Sequence, residues 1–140
     1  MKKNILIVDD DLQICESLRK VLRSEGYEVE VADDAFETIK KFSERRPDLV
    51  LLDLGLPGSS GWDVFGALTS YDPFLPIVII TGRQNQARFA IEAGAGALME
   101  KPLDVDFLLK TIAELIAEDP ETHLRRVAGI NRLNENIPTL

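Results

Sequence analysis

Only one cysteine is present, Cys15, so no disulfide can form within this chain. No apolar run approaches the ~20 residues that span a bilayer. The amino terminus, Met1-Lys2-Lys3-Asn4, leads straight into Ile5-Leu6-Ile7-Val8. That run is too short for a signal-peptide core, and no small-residue cleavage site follows it. Internal repeats and low-complexity stretches are also lacking. These absences point to the cytoplasm and away from a membrane. Positive charge is scarce: 16 Lys and Arg against 24 Asp and Glu leave a formal net charge of -8. Such a surface repels phosphate backbones, which disfavours direct nucleic-acid binding. It suits a protein that meets metal cations or basic partner surfaces, although the same charge also serves to keep a small domain soluble. With 140 residues, of which 45% are hydrophobic, the chain fits one domain with a real core.

Short apolar runs alternate with longer amphipathic segments. Strands are predicted at residues 5–8, 28–31, 49–52, 76–80 and 97–99. The strict alternation of Glu28-Val29-Glu30-Val31 marks an edge or half-exposed strand. Helices are predicted over 12–24, from a cap at Asp34 to about Arg46, over 62–70, over 84–93 and over 103–118. Gly26 and Gly94 would end the first and fourth of these, and Asp34 with Glu37 resembles a capping box. Strand followed by helix five times over implies an α/β fold, a parallel sheet covered on both faces. After Asp119-Pro120 the pattern changes. Residues 1–119 read as one domain, and 120–140 as a partly helical or disordered tail or the start of something further.

The polar residues fall at strand ends. Asp9, Asp10 and Asp11 follow the first strand, Asp53 the third, Thr81 the fourth and Lys101 the fifth. Open parallel sheets bind ligands outside the carboxyl ends of their strands, where strand order reverses. In a 2-1-3-4-5 sheet that point lies between strands one and three, so Asp9, Asp10 and Asp53 would converge. Carboxylates that close repel unless a cation sits among them, and hard oxygen ligands suit Mg2+. Taken singly, each residue has a plainer reading: Asp11 as a helix N-cap, Asp53 as a turn residue, Thr81 as a strand-end hydroxyl, Lys101 as a surface charge. Together at four strand ends they are poorly explained that way.

The runs Ile5-Leu6-Ile7-Val8-Asp9-Asp10, Leu51-Leu52-Asp53-Leu54-Gly55-Leu56-Pro57-Gly58, Ile80-Thr81-Gly82, Gly94-Ala95 and Lys101-Pro102 resemble the receiver domain of bacterial two-component response regulators over about residues 3–118. The resemblance implies a doubly wound, flavodoxin-like sheet of order 2-1-3-4-5. It implies that Asp53 accepts a phosphoryl group from a sensor histidine kinase or histidine phosphotransfer protein. It further implies that Asp10 ligates Mg2+, that Asp9 helps to hold it, and that the Gly55 carbonyl and Asp53 complete the set. Thr81 and Lys101 would each meet a phosphoryl oxygen, and the Lys101-Pro102 peptide is expected to be cis. The domain would turn over no substrate but itself. It would signal to a downstream protein, with the face formed by the helix at 84–93, the fifth strand and the helix at 103–118 available for phosphorylation-dependent dimerisation.

Three departures from the family pattern stand out. Leu98 occupies a place usually held by tyrosine or phenylalanine, the stretch from Thr81 to Lys101 is short, and Gly55 leaves the site more open to water. Two rival readings share parts of this pattern. A haloacid-dehalogenase-type phosphatase would use Asp-x-Asp after a strand, but Gln13 stands where it needs threonine and no acidic strand end follows Lys101. A phosphorylation-independent interaction module would usually lack one of the acidic residues or the lysine, and all are here. Cys15 is read as a small core residue, Trp62 as packing on the sheet or capping the loop, and His123 as a tail residue without a partner motif. Phe107 and Leu115 are read as an interaction stripe or a rest for the tail.

Overall fold

A computed structural model describes residues 2–56, 58, 60–82, 90 and 94–128. In chain order the elements are β1 (Asn4–Val8), α1 (Leu12–Ser24), β2 (Glu28–Ala32), α2 (Ala35–Glu44), β3 (Leu49–Asp53), α3 (Gly61–Tyr71), β4 (Ile77–Thr81), β5 (Ala97–Glu100), α4 (Val105–Ala117) and α5 (Pro120–Ala128). The strands form one parallel sheet in the order β2-β1-β3-β4-β5, as expected. The helix predicted over 84–93 lies outside the described residues, apart from Ala90. No helix among the described residues is long and apolar enough to cross a membrane.

The period of two along each strand divides the core. Leu6, Val8, Val50, Leu52, Ile77 and Ile79 face one way, onto Phe42 of α2 and Val64, Phe65 and Leu68 of α3. Ile5, Ile7, Leu49, Leu51, Val78 and Ile80 face the other way, onto Cys15, Leu18 and Leu22 of α1 and Leu108 and Ile112 of α4. Burial on both faces explains why β1, β3 and β4 read as continuous apolar runs. Each such side chain contributes about 1.5–3 kcal/mol by leaving water. β2, with its alternating pattern, is an edge strand and half exposed.

The helix ends follow local chemistry. Asp11 Oδ1 accepts from the Gln13 and Ile14 N–H groups at 3.0 and 3.3 Å, which is the N-cap role read for it. Asp34 Oδ1 accepts from Glu37 N–H at 2.7 Å, and Asp104 Oδ1 from Phe107 N–H at 3.1 Å. That last cap starts α4 at Val105 rather than at 103. α2 ends at Glu44, two residues before the expected limit. The chain is already extended at Arg45, ahead of Arg46, whose helical geometry Pro47 disfavours. Gly26 closes α1 with φ +92°, a conformation only glycine adopts cheaply.

After Asp119 the described residues Pro120–Ala128 are helical. Asp119 Oδ1 accepts from Thr122 N–H at 2.7 Å and starts α5. His123, read from sequence as a tail residue without a partner motif, is buried: Nε2 lies 2.8 Å from the Pro73 carbonyl and Nδ1 3.4 Å from Glu118 Oε1. Trp62 packs on the α2–α3 side of the core, edge-to-face with Phe65 at 5.5 Å. Of the two residues proposed as a stripe on α4, Leu115 packs on the core while Phe107 is exposed.

Gly61 opens α3 where the chain runs tightly against β3. A Cβ there would stand 2.5 Å from Leu54 Cα and 3.0 Å from the Asp53 carbonyl, both backbone atoms. Gly61→Ala is therefore expected to lower stability by about 1–3 kcal/mol through overpacking. Urea unfolding measures this, and an unchanged midpoint would show that the loop yields without cost.

Candidate functional site

All strands point the same way, so the last residues of β1, β3, β4 and β5 meet at one edge of the sheet. β3 pairs with β1 and with β4, the latter with Asp53 opposite Ile80. Asp53 thus ends the central strand, Thr81 ends β4 beside it, Asp9 and Asp10 follow β1, and Lys101 follows β5. The Lys101 N–H donates to the Thr81 carbonyl at 2.9 Å, which draws the lysine toward the centre. The Lys101–Pro102 peptide is cis.

Asp9, Asp10 and Asp53 each offer a carboxylate oxygen, and these oxygens all lie within 4.8 Å of one another. Asp9 and Asp53 are buried and Asp10 is exposed. Asp11 stands apart from the cluster, since its carboxylate caps α1. Asp9 Oδ1 accepts from Asp11 N–H at 2.9 Å, and Asp53 Oδ1 from Gly55 N–H at 3.1 Å. Their second oxygens share one ammonium: Lys101 Nζ is 3.3 Å from Asp9 Oδ2 and 3.4 Å from Asp53 Oδ2. Asp9 Oδ2 is buried and, that ion pair aside, accepts no hydrogen bond among the described residues.

The charges at this edge perturb one another. Burial pushes the Asp9 carboxyl above its ordinary range, and the nearby Asp53 charge adds to that. The Asp11 N–H and Lys101 pull the other way without cancelling it. For Lys101, burial opposes the charged form, but the Asp9 and Asp53 carboxylates outweigh it and hold the ammonium above the usual lysine range. Cys15, against the Asp9 carbonyl at 3.3 Å, has its thiol pushed up to about 11, chiefly by burial. It is an inert core thiol at neutral pH, as read from the sequence.

The donor set fits a small hard cation. It consists of oxygen donors only, one of them on an exposed aspartate, and a buried oxygen that meets only Lys101 among the described residues. Gly55 is exposed, and a Cβ built on it would stand 3.6 and 3.8 Å from the two Asp53 oxygens. A side chain there would hang over Asp53, and glycine leaves that approach clear. On β5, Leu98 lies opposite Ile79 and packs, half buried, on the α2–α3 side of the core.

A raised carboxyl makes a prediction with a definite sign. The folded state holds the Asp9 proton to higher pH than the unfolded chain does. Asp9 therefore favours folding below the usual carboxylate value of 3.8, and that contribution is lost as pH rises through its folded value. In EDTA at pH 7, Asp9→Asn is expected to be more stable than the wild type by about 0.5–2 kcal/mol, as for other charges held for function. The gain should fade toward pH 4. Paired urea melts across that range check it; equal stability at pH 7 would refute the strained reading of Asp9.

Residues 5–113 match the response regulator receiver domain family. Among curated proteins, the DNA-binding response regulator MtrA of Mycolicibacterium paratuberculosis is 39% identical over 124 residues, covering 86% of this chain and 55% of that protein. The response regulator MprA of a Mycobacterium species is 36% identical over 118 residues, covering 83% of this chain and 51% of that protein. The chain thus spans about half the length of the curated relatives it matches. Among solved structures, the CheY-like receiver domain protein of Methanospirillum hungatei is 35% identical with a TM-score of 0.79, covering 83% of this chain and 94% of that one. The response regulator TrrA of Thermotoga maritima, in complex with Mg2+ and BeF, is 33% identical with a TM-score of 0.74, covering 81% and 98%. With the fold, the strand order and the acidic edge in agreement, the chain belongs to the response regulator receiver domain family of two-component signalling.

Proposed function

We propose that Asp53 is the residue that accepts the phosphoryl group, with Asp9, Asp10, Asp53 and the Gly55 carbonyl holding Mg2+ and with Thr81 and Lys101 meeting the phosphoryl oxygens. The observation that carries this reading is the convergence of the three carboxylates with one lysine at the carboxyl edge of the sheet. The donor is a phosphohistidine of a sensor kinase or phosphotransfer protein.

The chemistry follows from the placement. An Asp53 carboxylate oxygen attacks phosphorus, the oxygen–phosphorus bond forms, and the phosphorus–nitrogen bond breaks with its electron pair leaving on the imidazole. The Gly55 N–H at 3.1 Å from Oδ1 orients the carboxylate. Lys101, already 3.4 Å from Oδ2, needs little movement to pair with an incoming phosphoryl oxygen. Bound Mg2+ supplies positive charge against the oxygens of the transferring group. The same edge, reached by water past Gly55, hydrolyses the acyl phosphate, so the domain turns over only itself. The phosphatase alternative is weakened by Asp11, whose carboxylate is engaged at the N-terminus of α1.

We place this chemistry in the unit of residues 1–119, acting in the cytoplasm. Its acidic character suits a protein partner rather than nucleic acid, so in longer relatives named as DNA-binding we assign that property to parts outside this domain. The output face, and dimerisation through it, would involve β5 and α4 with residues 84–93. Leu98 has no ring or hydroxyl with which to report a movement of Thr81, so the rearrangement of that face should be modest.

Two measurements test the reading. Acetyl phosphate with Mg2+ is expected to add one base-labile phosphoryl group, seen by mass spectrometry, and Asp53→Asn to remove it entirely; undiminished labelling of that variant would place the acceptor elsewhere. In calorimetric titration, Asp10→Ala is expected to weaken Mg2+ binding at least tenfold, or about 1.4 kcal/mol. Equal binding by the two proteins would remove Asp10 from the metal site.

A further inference from the structure

The chain leaves β3 through Asp53 and Leu54 and returns to the same point at Gly61, the first residue of α3. There the Gly61 N–H donates to the Leu54 carbonyl at 3.3 Å. Gly61 is buried and lies directly against the main chain. A Cβ on it would stand 2.5 Å from Leu54 Cα, 3.0 Å from the Leu54 carbonyl carbon and 3.0 Å from the Asp53 carbonyl oxygen. The nearest of these is about 1 Å short of an ordinary carbon–carbon contact. All are backbone atoms, so no rotation of a side chain makes room. Gly61 is not among the glycines of positive φ, so the constraint is one of space and not of backbone conformation.

We propose that Gly61 is a positioning residue for the phosphoacceptor: its missing side chain sets where Leu54 and Gly55 lie and, through them, how the Asp53 carboxylate is held. Resting on the phosphorylation reading of Asp53, this assignment adds what keeps the acceptor in place. Were a side chain present, one side of the contact would have to give way. α3 is anchored by Val64, Phe65 and Leu68, all buried in the core. The Leu54 backbone is tied to the sheet by its N–H, which donates to the Ile80 carbonyl at 3.1 Å, and Gly55 beyond it is exposed. The turn after β3 is therefore the softer side. Gly55 N–H stands 3.1 Å from Asp53 Oδ1, so a displacement of about 1 Å breaks that hydrogen bond. The same displacement moves the Gly55 carbonyl, assigned above to Mg2+. Asp53 Oδ1 is then free to turn away from the line of attack, and a misplacement of that size costs a reaction about a hundredfold.

Gly61→Ala in the full chain tests the assignment, with sucrose in every sample to favour the folded state. The readouts are the Gly55 amide shift in the metal-free protein, Mg2+ affinity by calorimetry, and the initial rate of labelling by acetyl phosphate. In the variant the Gly55 amide proton is expected to move upfield as its bond to Asp53 is lost. Mg2+ binding should weaken about tenfold, and labelling should slow about a hundredfold. Ile112→Val, a core change on α4 away from the site, lowers stability by another route and is expected to leave all of these as in the wild type. A Gly61→Ala protein with the wild-type Gly55 shift and labelling rate would overturn the proposal. So would an equal loss in Ile112→Val, or a Gly61→Ala chain that stays unfolded in sucrose, since either would make the role of Gly61 one of stability alone. A wild type that takes no label would instead sink the reading of Asp53, while the metal-free Gly55 shift would still decide the role of Gly61.

Discussion

One ammonium shared by two buried carboxylates is the constraint around which this molecule is arranged. Lys101 Nζ sits within 3.4 Å of both Asp9 and Asp53, while its own backbone belongs to the far side of the sheet, beyond β4. Only a parallel sheet brings the ends of β1, β3 and β5 to one edge. Only a side chain as long as lysine can lie from β5 across β4 to the two aspartates. The right-handed crossovers that cover both faces with helices are the means by which the chain returns each strand in the same direction. The core is thus built so that three negative groups and one positive group meet.

That meeting has a cost in stability. Burial and the neighbouring Asp53 both work against an ionised Asp9, and the lysine offsets them only in part. Local order absorbs the strain. The Asp11 and Gly55 N–H groups each bind one carboxylate oxygen, and Gly61 lets α3 press against the backbone of the Asp53 strand. The two N–H groups each hold one oxygen of a carboxylate and leave its other oxygen beside Lys101. A cation taken up there would relieve the repulsion that the lone lysine leaves over, so binding and stability draw on the same charges.

Much of this was legible in the sequence because both signals are local. Apolar runs bounded by glycine, proline and aspartate gave the five strands, and the residues at the ends of four of them gave the candidate site, since strand ends are where a doubly wound sheet presents ligands. The order 2-1-3-4-5 and the roles expected of Asp53, Thr81 and Lys101 came from family resemblance, which periodicity cannot supply. Other features escaped for physical reasons. The pairing of Lys101 with both Asp9 and Asp53 depends on side-chain reach across the sheet. The seat of His123 depends on the Pro73 carbonyl, 50 residues away in the chain. Yet a signal for α5 itself stood in plain view: Asp119-Pro120 is a cap residue followed by a proline at the first helical position. The change of composition after it hid that signal.

The two ends of the sheet are linked by contacts of β5 with α4. Gly96, just before β5, lies so close to α4 that a Cβ would stand 2.9 Å from Leu115 Cδ1, and its N–H donates to the Ile77 carbonyl at 2.9 Å. Leu115 and the adjoining Ile116 in turn border the cavity that seats α5. At the other end of the same strand, Lys101 follows Glu100 directly into the site. Close-packed interiors pass displacement on rather than absorb it. A pull on Lys101 by an incoming anion would therefore act along a strand of four residues whose far end, next to Gly96, abuts Leu115. Leu98 sits midway on that strand and faces the α2–α3 side, away from α4. The strand backbone and its contact with α4, more than the side chain at 98, are then the route by which chemistry at Asp53 would reach the C-terminal helix.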